Sequence, residues 1–135
     1  MELAEGPERT VDGFAREGRV VLAHPKTREA MRAGLAMLFR TLDDPVLMDT
    51  AARIAAELRL DHFFNIQLVG DAVIEINPRI STIVYQEDLN LPYLGIKYAL
   101  GELSDDEASA LAARARTSRR ALRYFDQVEW DEPSA

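Results

Sequence analysis

Apolar and polar positions change period several times along the chain, and each change predicts an element. Arg9 to Phe14 and Arg19 to Ala23 read as short strands, parted by Ala15 to Gly18, a turn-rich gap of hairpin length. Pro25 to Gly34 is basic and bounded by Pro and Gly, a strand or a loop. A helix follows: Asp44 is placed to cap it, Pro45 suits its first position, and Leu47, Ala51, Ile54, Ala55 and Leu58 fall on one face. Residues 63–69 and 73–78 alternate on either side of Gly70-Asp71-Ala72 and form a β-hairpin. A polar loop from Arg79 to Asn90 leads to a short helix from Tyr93 to Leu100, ended by Gly101. Ser104 and Glu107 form a capping box that opens a last helix, expected to run to about Tyr124. The tail is expected to fray, with Trp130 the one residue suited to docking.

The hairpin carries the chemistry, and its register follows from burial. A two-residue loop at Gly70-Asp71 would face Gln67 with Ile74 and mix polar and apolar residues on both faces. A three-residue loop pairs Val69 with Val73, Gln67 with Glu75 and Asn65 with Asn77. Polar residues then share one face, while Phe64, Ile66, Leu68, Ile74 and Ile76 share the other, since a slip of one residue turns a whole strand over. The second register is expected. It gathers Asn65, Gln67, Glu75 and Asn77 in one patch, and opposite pairs have Cβ atoms about 4.5–5.5 Å apart. One carboxylate with amide oxygens suits a hard cation such as Mg2+, which accepts few protein ligands and takes the rest from phosphate and water. Arg79 continues the same side, toward the phosphate that such an ion would carry. A solvated polar face with no ligand is the plainer reading of the alternation alone.

Composition narrows the partners. The 135 residues, 47% apolar and 29% charged, fit one domain with one core. No apolar run approaches the roughly 20 residues that span a bilayer. The absence of cysteine removes disulfides, thiolate nucleophiles and Cys-based zinc sites. A net charge of −7 makes nucleic acid and anionic membrane poor partners. The acids Glu2, Glu5 and Glu8 precede any apolar run, which argues against a secretory signal and for a cytoplasmic protein.

The run E-I-N-P-R, Glu75 to Arg79, preceded by N-I-Q at Asn65 to Gln67, resembles the metal-binding hairpin of the ATP-grasp superfamily, in the branch similar to the carbamoyl-phosphate synthase large subunit. The resemblance implies that Glu75, Asn77 and Gln67 hold Mg2+ (or Mn2+) bridging the phosphates of ATP, and that Arg79 contacts the transferred phosphate. G-P-E-R-T-V-D, Gly6 to Asp12, is similar to the segment after the adenine hinge, which gives Glu8 the ribose hydroxyls and makes Glu2-Leu3 the end of the hinge. P-K-T-R-E-A-M-R-A-G resembles the basic strand and loop that follow, with Arg28 and Arg32 as further phosphate or substrate contacts. N-L-P-Y-L-G-I-K-Y-A-L-G-E, Asn90 to Glu102, resembles the helix that closes the domain.

The implied fold is α+β, an antiparallel β-sheet with helices packed on one face, in the manner of the C-terminal ATP-grasp subdomain. Residues 1–103 would form that subdomain, 104–125 a C-terminal helix and 126–135 a tail. The implied activity is activation of a carboxylate substrate as an acyl phosphate for attack by an amine or other nucleophile. The lid that grips the phosphates lies outside the resemblance, so a separate chain carrying that half, or self-association, is an expected partner. A non-catalytic remnant that binds or scaffolds is the alternative. Two departures bear on substrate: L-D-H-F-F precedes N-I-Q where relatives often carry Gly-Pro, and 80–85 replaces a glycine-containing stretch. His24 and His62 read as structural, Asp12 as a turn or strand-edge residue, and the arginines from Arg114 to Arg123 as a solvated helix end.

Overall fold

A computed structural model describes residues 3–81 and 86–130. Glu2, residues 82–85 of the departing stretch and the last five tail residues lie outside the described residues. The elements run β1 (Glu8–Arg16), β2 (Arg19–Arg32), β3 (Leu35–Thr41), α1 (Pro45–Glu57), β4 (His62–Val69), β5 (Ala72–Asn77), α2 (Leu91–Ala99), α3 (Asp105–Ala112) and β6 (Arg120–Leu122). All six strands join one antiparallel sheet in the order β5-β4-β1-β2-β3-β6, so the α+β class expected from the sequence is the one observed. No helix among the described residues is long and apolar enough to cross a membrane.

Local signals placed most boundaries. Asp44 caps α1, accepting from the Leu47 amide at 2.9 Å, and Leu47, Ala51 and Ala55 are its buried residues. The other oxygen of Asp44 accepts from Arg9 at 2.9 Å, which ties the helix start to β1. Asn90 caps α2, and Ser104 with Glu107 closes the expected capping box on α3. β1 and β2 outrun the expected strands: the turn is only Glu17-Gly18, and β2 continues through the basic stretch to Arg32.

The helices divide between the two faces of the sheet, where one covered face was expected. On one face Val11, Ala15, Phe64, Ile66 and Leu68 pack against Leu47 and Ala51 of α1. On the other, Phe14 and Leu22 pack against Leu91 of α2 and Ala108 of α3. The division follows from alternation: β1 sends Val11 to one side and Phe14 to the other, so each face carries apolar residues that need cover. Gly13, on the α1 side, stands opposite Phe64 in the ladder; a Cβ there would lie 2.2 Å from the ring.

The hairpin pairs Asn65 with Asn77 and Gln67 with Glu75, as the burial pattern required, but by another route. The turn holds two residues, with Gly70 at φ +55°, and pairs Val69 with Ala72 and Leu68 with Val73. A bulge then leaves Ile74 without an opposite residue and restores the register. The expected pairing of Val69 with Val73 is therefore corrected, and Ile74 is 53% exposed instead of sharing the core with Ile76. The segment before β1 crosses the hairpin tip: the Gly70 amide donates to Pro7 O at 3.1 Å, and a Cβ on Gly70 would lie 2.3 Å from Glu5 O.

The C-terminal helix expected over 104–125 stops at Ala112. Its arginines are drawn to partners elsewhere: Arg116 to Glu87 and Asp88, Arg119 to Glu87. The Thr41 hydroxyl donates to Arg116 O at 2.9 Å and accepts from the Arg119 amide at 2.9 Å, and the chain then lies along β3 as β6. Tertiary docking overrides local helix propensity here. Trp130, expected to dock, is 78% exposed.

Two stability effects follow. Gly13→Ala should cost about 1–3 kcal/mol by overpacking against Phe64, measurable by urea denaturation; an unchanged midpoint would contradict the packing. Among the described residues, the Nε2 of buried His24 has no hydrogen-bond partner. Desolvation, and next the Lys26 charge, hold the imidazole down at about 4 from 6.5, against the opposing pull of Asp88 and Asp12. The unfolded chain therefore takes up this proton first, and stability falls as pH drops from about 6.5 to about 4, by roughly 3 kcal/mol. His24→Leu should flatten that part of the stability–pH curve; an identical slope in both proteins would refute it.

Candidate metal and phosphate site

β4 sends Asn65 and Gln67 to the face opposite α1, and their partners in the ladder complete four rows of polar side chains. Across the sheet, Asn77 and Glu75 on β5 face Asn65 and Gln67 on β4, which face Asp12 and Thr10 on β1, which face His24 and Lys26 on β2. Directly paired residues share a face, so the register alone assembles the patch.

The deepest layer is ionic. Lys26 Nζ donates to Asp12 Oδ2 at 2.9 Å, with both side chains at most 1% exposed. Asn65, 3% exposed, donates through Nδ2 to Asp12 Oδ1 at 2.8 Å and to Thr10 Oγ1 at 2.6 Å. Asn65 Oδ1 accepts from Gln67 Nε2 at 3.0 Å and from Asn77 Nδ2 at 3.4 Å. Gln67 Oε1 accepts from Arg28 Nη1. Arg28 also reaches Glu8 at 3.6 Å and donates to Gly34 O at 3.1 Å. Glu75 is exposed on the edge strand, and among the described residues nothing is bonded to its carboxylate.

Above this layer lies a cleft of about 110 Å³, bounded by Arg28, Asn65, Gln67, Arg79, Ser81 and the turn at 34–36. Six candidates are thus brought together: Gln67, Arg28 and Arg79 at the cleft, Glu75 and Asn77 beside it, and Glu8 through Arg28. Leu3 does not line the cleft, and its side chain is exposed. Arg32 also points elsewhere, its guanidinium 5.5 Å from the centre of the Phe125 ring. A larger groove of about 650 Å³ lies on the other face, between α1 and the hairpin. Its wall is largely aliphatic, with Leu47, Ile54, Leu58, Leu68, Val73 and Ile76, and its Arg9 is already paired with Asp44 and Asp71. It offers packing surface and no convergent chemistry.

Among the described residues no three His, Asp or Glu side chains converge, so the hairpin's donor set is one carboxylate with amide oxygens. Such a set is hard and oxygen-only, the kind Mg2+ accepts. Sequence reading missed Lys26 and Thr10 and gave Asp12 a peripheral role. The Glu17-Gly18 turn alone would oppose Thr10 with Pro25; a bulge that leaves Val21 without an opposite residue shifts the register by one and brings Lys26 beside Asp12, and no turn signal marks it.

The chain belongs to the family described as ATP-grasp in the biosynthetic pathway with Ter operon, whose model matches residues 1–121. The match runs from before β1 into β6, so it takes in the whole polar face together with α3. No curated protein matches the chain. Membership makes this an ATP-binding, ligase-like domain of the ATP-grasp superfamily.

Proposed function

We propose that the polar face of the hairpin holds Mg2+ and the phosphates of ATP, in a ligase that activates a carboxylate as an acyl phosphate for attack by an amine or other nucleophile. The observation that carries this reading is the pairing of Gln67 with Glu75 and Asn65 with Asn77 beside Arg28 and Arg79. Glu75, Asn77 and Gln67 would hold the ion through one carboxylate and two amide oxygens. When bound, Mg2+ supplies positive charge against the phosphate oxygens. Arg79 donates hydrogen bonds to the phosphoryl group in transfer, where charge stabilisation and positioning do most of the catalysis. Glu8, two ladder positions from Gln67's partner Thr10, accepts from the ribose, and backbone groups near Glu2 and Leu3 meet the adenine; these two roles rest on the resemblance, as does the carbamoyl-phosphate synthase-like branch.

Arg28 sets the order of binding. It donates to Gln67 Oε1, the same oxygen offered to the metal. Like charges about 4 Å apart at a protein surface repel by roughly 1–4 kcal/mol. Phosphate resolves the conflict, because it takes the guanidinium and neutralises the ion together. Metal and nucleotide therefore bind as a pair. Ligand pockets commonly span about 300–1,000 Å³, well above the cleft's 110 Å³. We propose that a separate chain bearing a lid, or self-association, supplies a second wall for the nucleotide. The bond from Arg28 to Gln67 also gives the alternative its one support: a face satisfied internally suits a non-catalytic binding or structural subunit.

Two measurements separate these readings. Calorimetry should find Mg·ATP binding that Glu75→Ala weakens about tenfold or more. ATP affinity indifferent to magnesium would end the metal assignment, and no binding with or without a lid-bearing partner would end the ligase reading. Arg28→Met should bind Mn2+ alone more tightly than the wild type, by about tenfold, yet bind Mg·ATP more weakly. Unchanged affinity for both would mark Arg28 as structural.

A further inference from the structure

We infer that Asn65 is not a ligand but the residue that turns the amide oxygens of Gln67 and Asn77 outward, and that the buried Asp12–Lys26 pair dictates its sense. The inference rests on the metal reading of the hairpin. A primary amide has two nearly isosteric orientations, one presenting oxygen and the other NH2. A cation is held by the first and repelled by the second, so amide ligands need something that selects between them.

The selection starts at the charged pair. Lys26 donates to Asp12 Oδ2 in an ion pair, and a carboxylate only accepts. Asp12 Oδ1 therefore demands a donor, and Asn65 supplies Nδ2 at 2.8 Å. Thr10 agrees with this sense: its hydroxyl proton goes to Ile66 O at 3.1 Å, leaving Oγ1 to accept from the same Nδ2 at 2.6 Å. With its nitrogen fixed inward, Asn65 must point Oδ1 at the hairpin. That oxygen demands donors in turn and receives Gln67 Nε2 at 3.0 Å and Asn77 Nδ2 at 3.4 Å. Both amides then face outward with oxygen, and on Gln67 the donor Arg28 Nη1 demands the same sense. Reversing any one link would leave a buried donor against a donor, or an acceptor against an acceptor, and Asn65 is too buried for bulk water to repair it. Gln67 is thus fixed from both sides, whereas among the described residues Asn77 takes its sense from Asn65.

The test uses the 15N-labelled full chain and Mn2+ alone as the probe, read from broadening of the Gln67 and Asn77 side-chain NH2 signals. The double variant D12N/K26M removes both buried charges at similar volume, a change that buried pairs often tolerate. An asparagine at 12 can offer either oxygen or nitrogen, so Asn65 loses its fixed sense. The Mn2+ concentration for half-broadening should rise about 10-fold. Hydrogen exchange of those two NH2 groups should quicken while the β4 and β5 backbone amides keep their protection, a split that general loosening would not produce. Should the double variant fail to fold, Asn65→Leu carries the same expectation. Wild-type Mn2+ affinity in the folded variant overturns the inference. Absence of Mn2+ binding in the wild type overturns the metal reading beneath it, and the two failures are told apart by the arm in which they occur.

Discussion

The ion pair between Lys26 and Asp12 is the constraint around which the sheet is organised. Two unit charges lie in the middle of a six-stranded sheet, 2.9 Å apart and almost wholly removed from water. Desolvating them costs several kcal/mol per ion, and mutual attraction offsets that only if the remaining lone pairs and protons find partners. Asn65 meets that demand for Asp12, and so a polar row on β1 requires a polar row on β4. Along β1 the same face passes from Phe14, under the α2 and α3 cluster, through Asp12 and Thr10 to Glu8 at the open end. One strand thus carries the sheet from an aromatic core to a charged cleft within a few residues. On the reverse face α1 covers Val11 and Ala15, and the row ends at Arg9, whose charge is taken up by Asp44 and Asp71.

Much of this was legible from sequence because it depends on local rules. Asp44-Pro45 and Ser104 with Glu107 announce helix starts through backbone amides that need acceptors, and both caps form. The hairpin's polar pairs were legible because a one-residue error would have buried Gln67 and Glu75. The turn was not, because a two-residue turn followed by a bulge at Ile74 and a three-residue turn give the same pairs from Gln67 onward. Burial fixes the sum of the offsets and leaves their division open. The last helix failed for a different reason. Its alanines and arginines favour helix locally, while the bonds that end it come from Thr41, Glu87 and Asp88, at least 28 residues away in sequence.

Charge shows the same separation between global and local physics. A chain with a net charge of −7 has little general attraction for polyphosphate, yet its cleft presents Arg28 and Arg79. Screening limits the reach of exposed charges to about 8–10 Å at physiological salt. What an anion meets at the cleft is therefore set by two guanidinium groups and the carboxylates of Glu8 and Glu75. The polar face that the register assembles is where we propose that the phosphates of ATP are held.

Hairpin tips are ordinarily where proteins accept insertions, since they project into solvent and touch little. The tip at Gly70 is the exception here. Gly6 passes so close that a Cβ on it would lie 2.7 Å from the Gly70 Cα, and the Gly70 amide is bonded to Pro7 O. The two glycines work as a crossed pin, binding the chain segment that enters β1 to the arm that carries Glu75 and Asn77. At the exposed turn 33–34 of the β2–β3 hairpin a Cβ on Gly34 would touch nothing and only the φ of +77° favours glycine, whereas at the tip of the β4–β5 hairpin the crossing chain itself excludes a side chain.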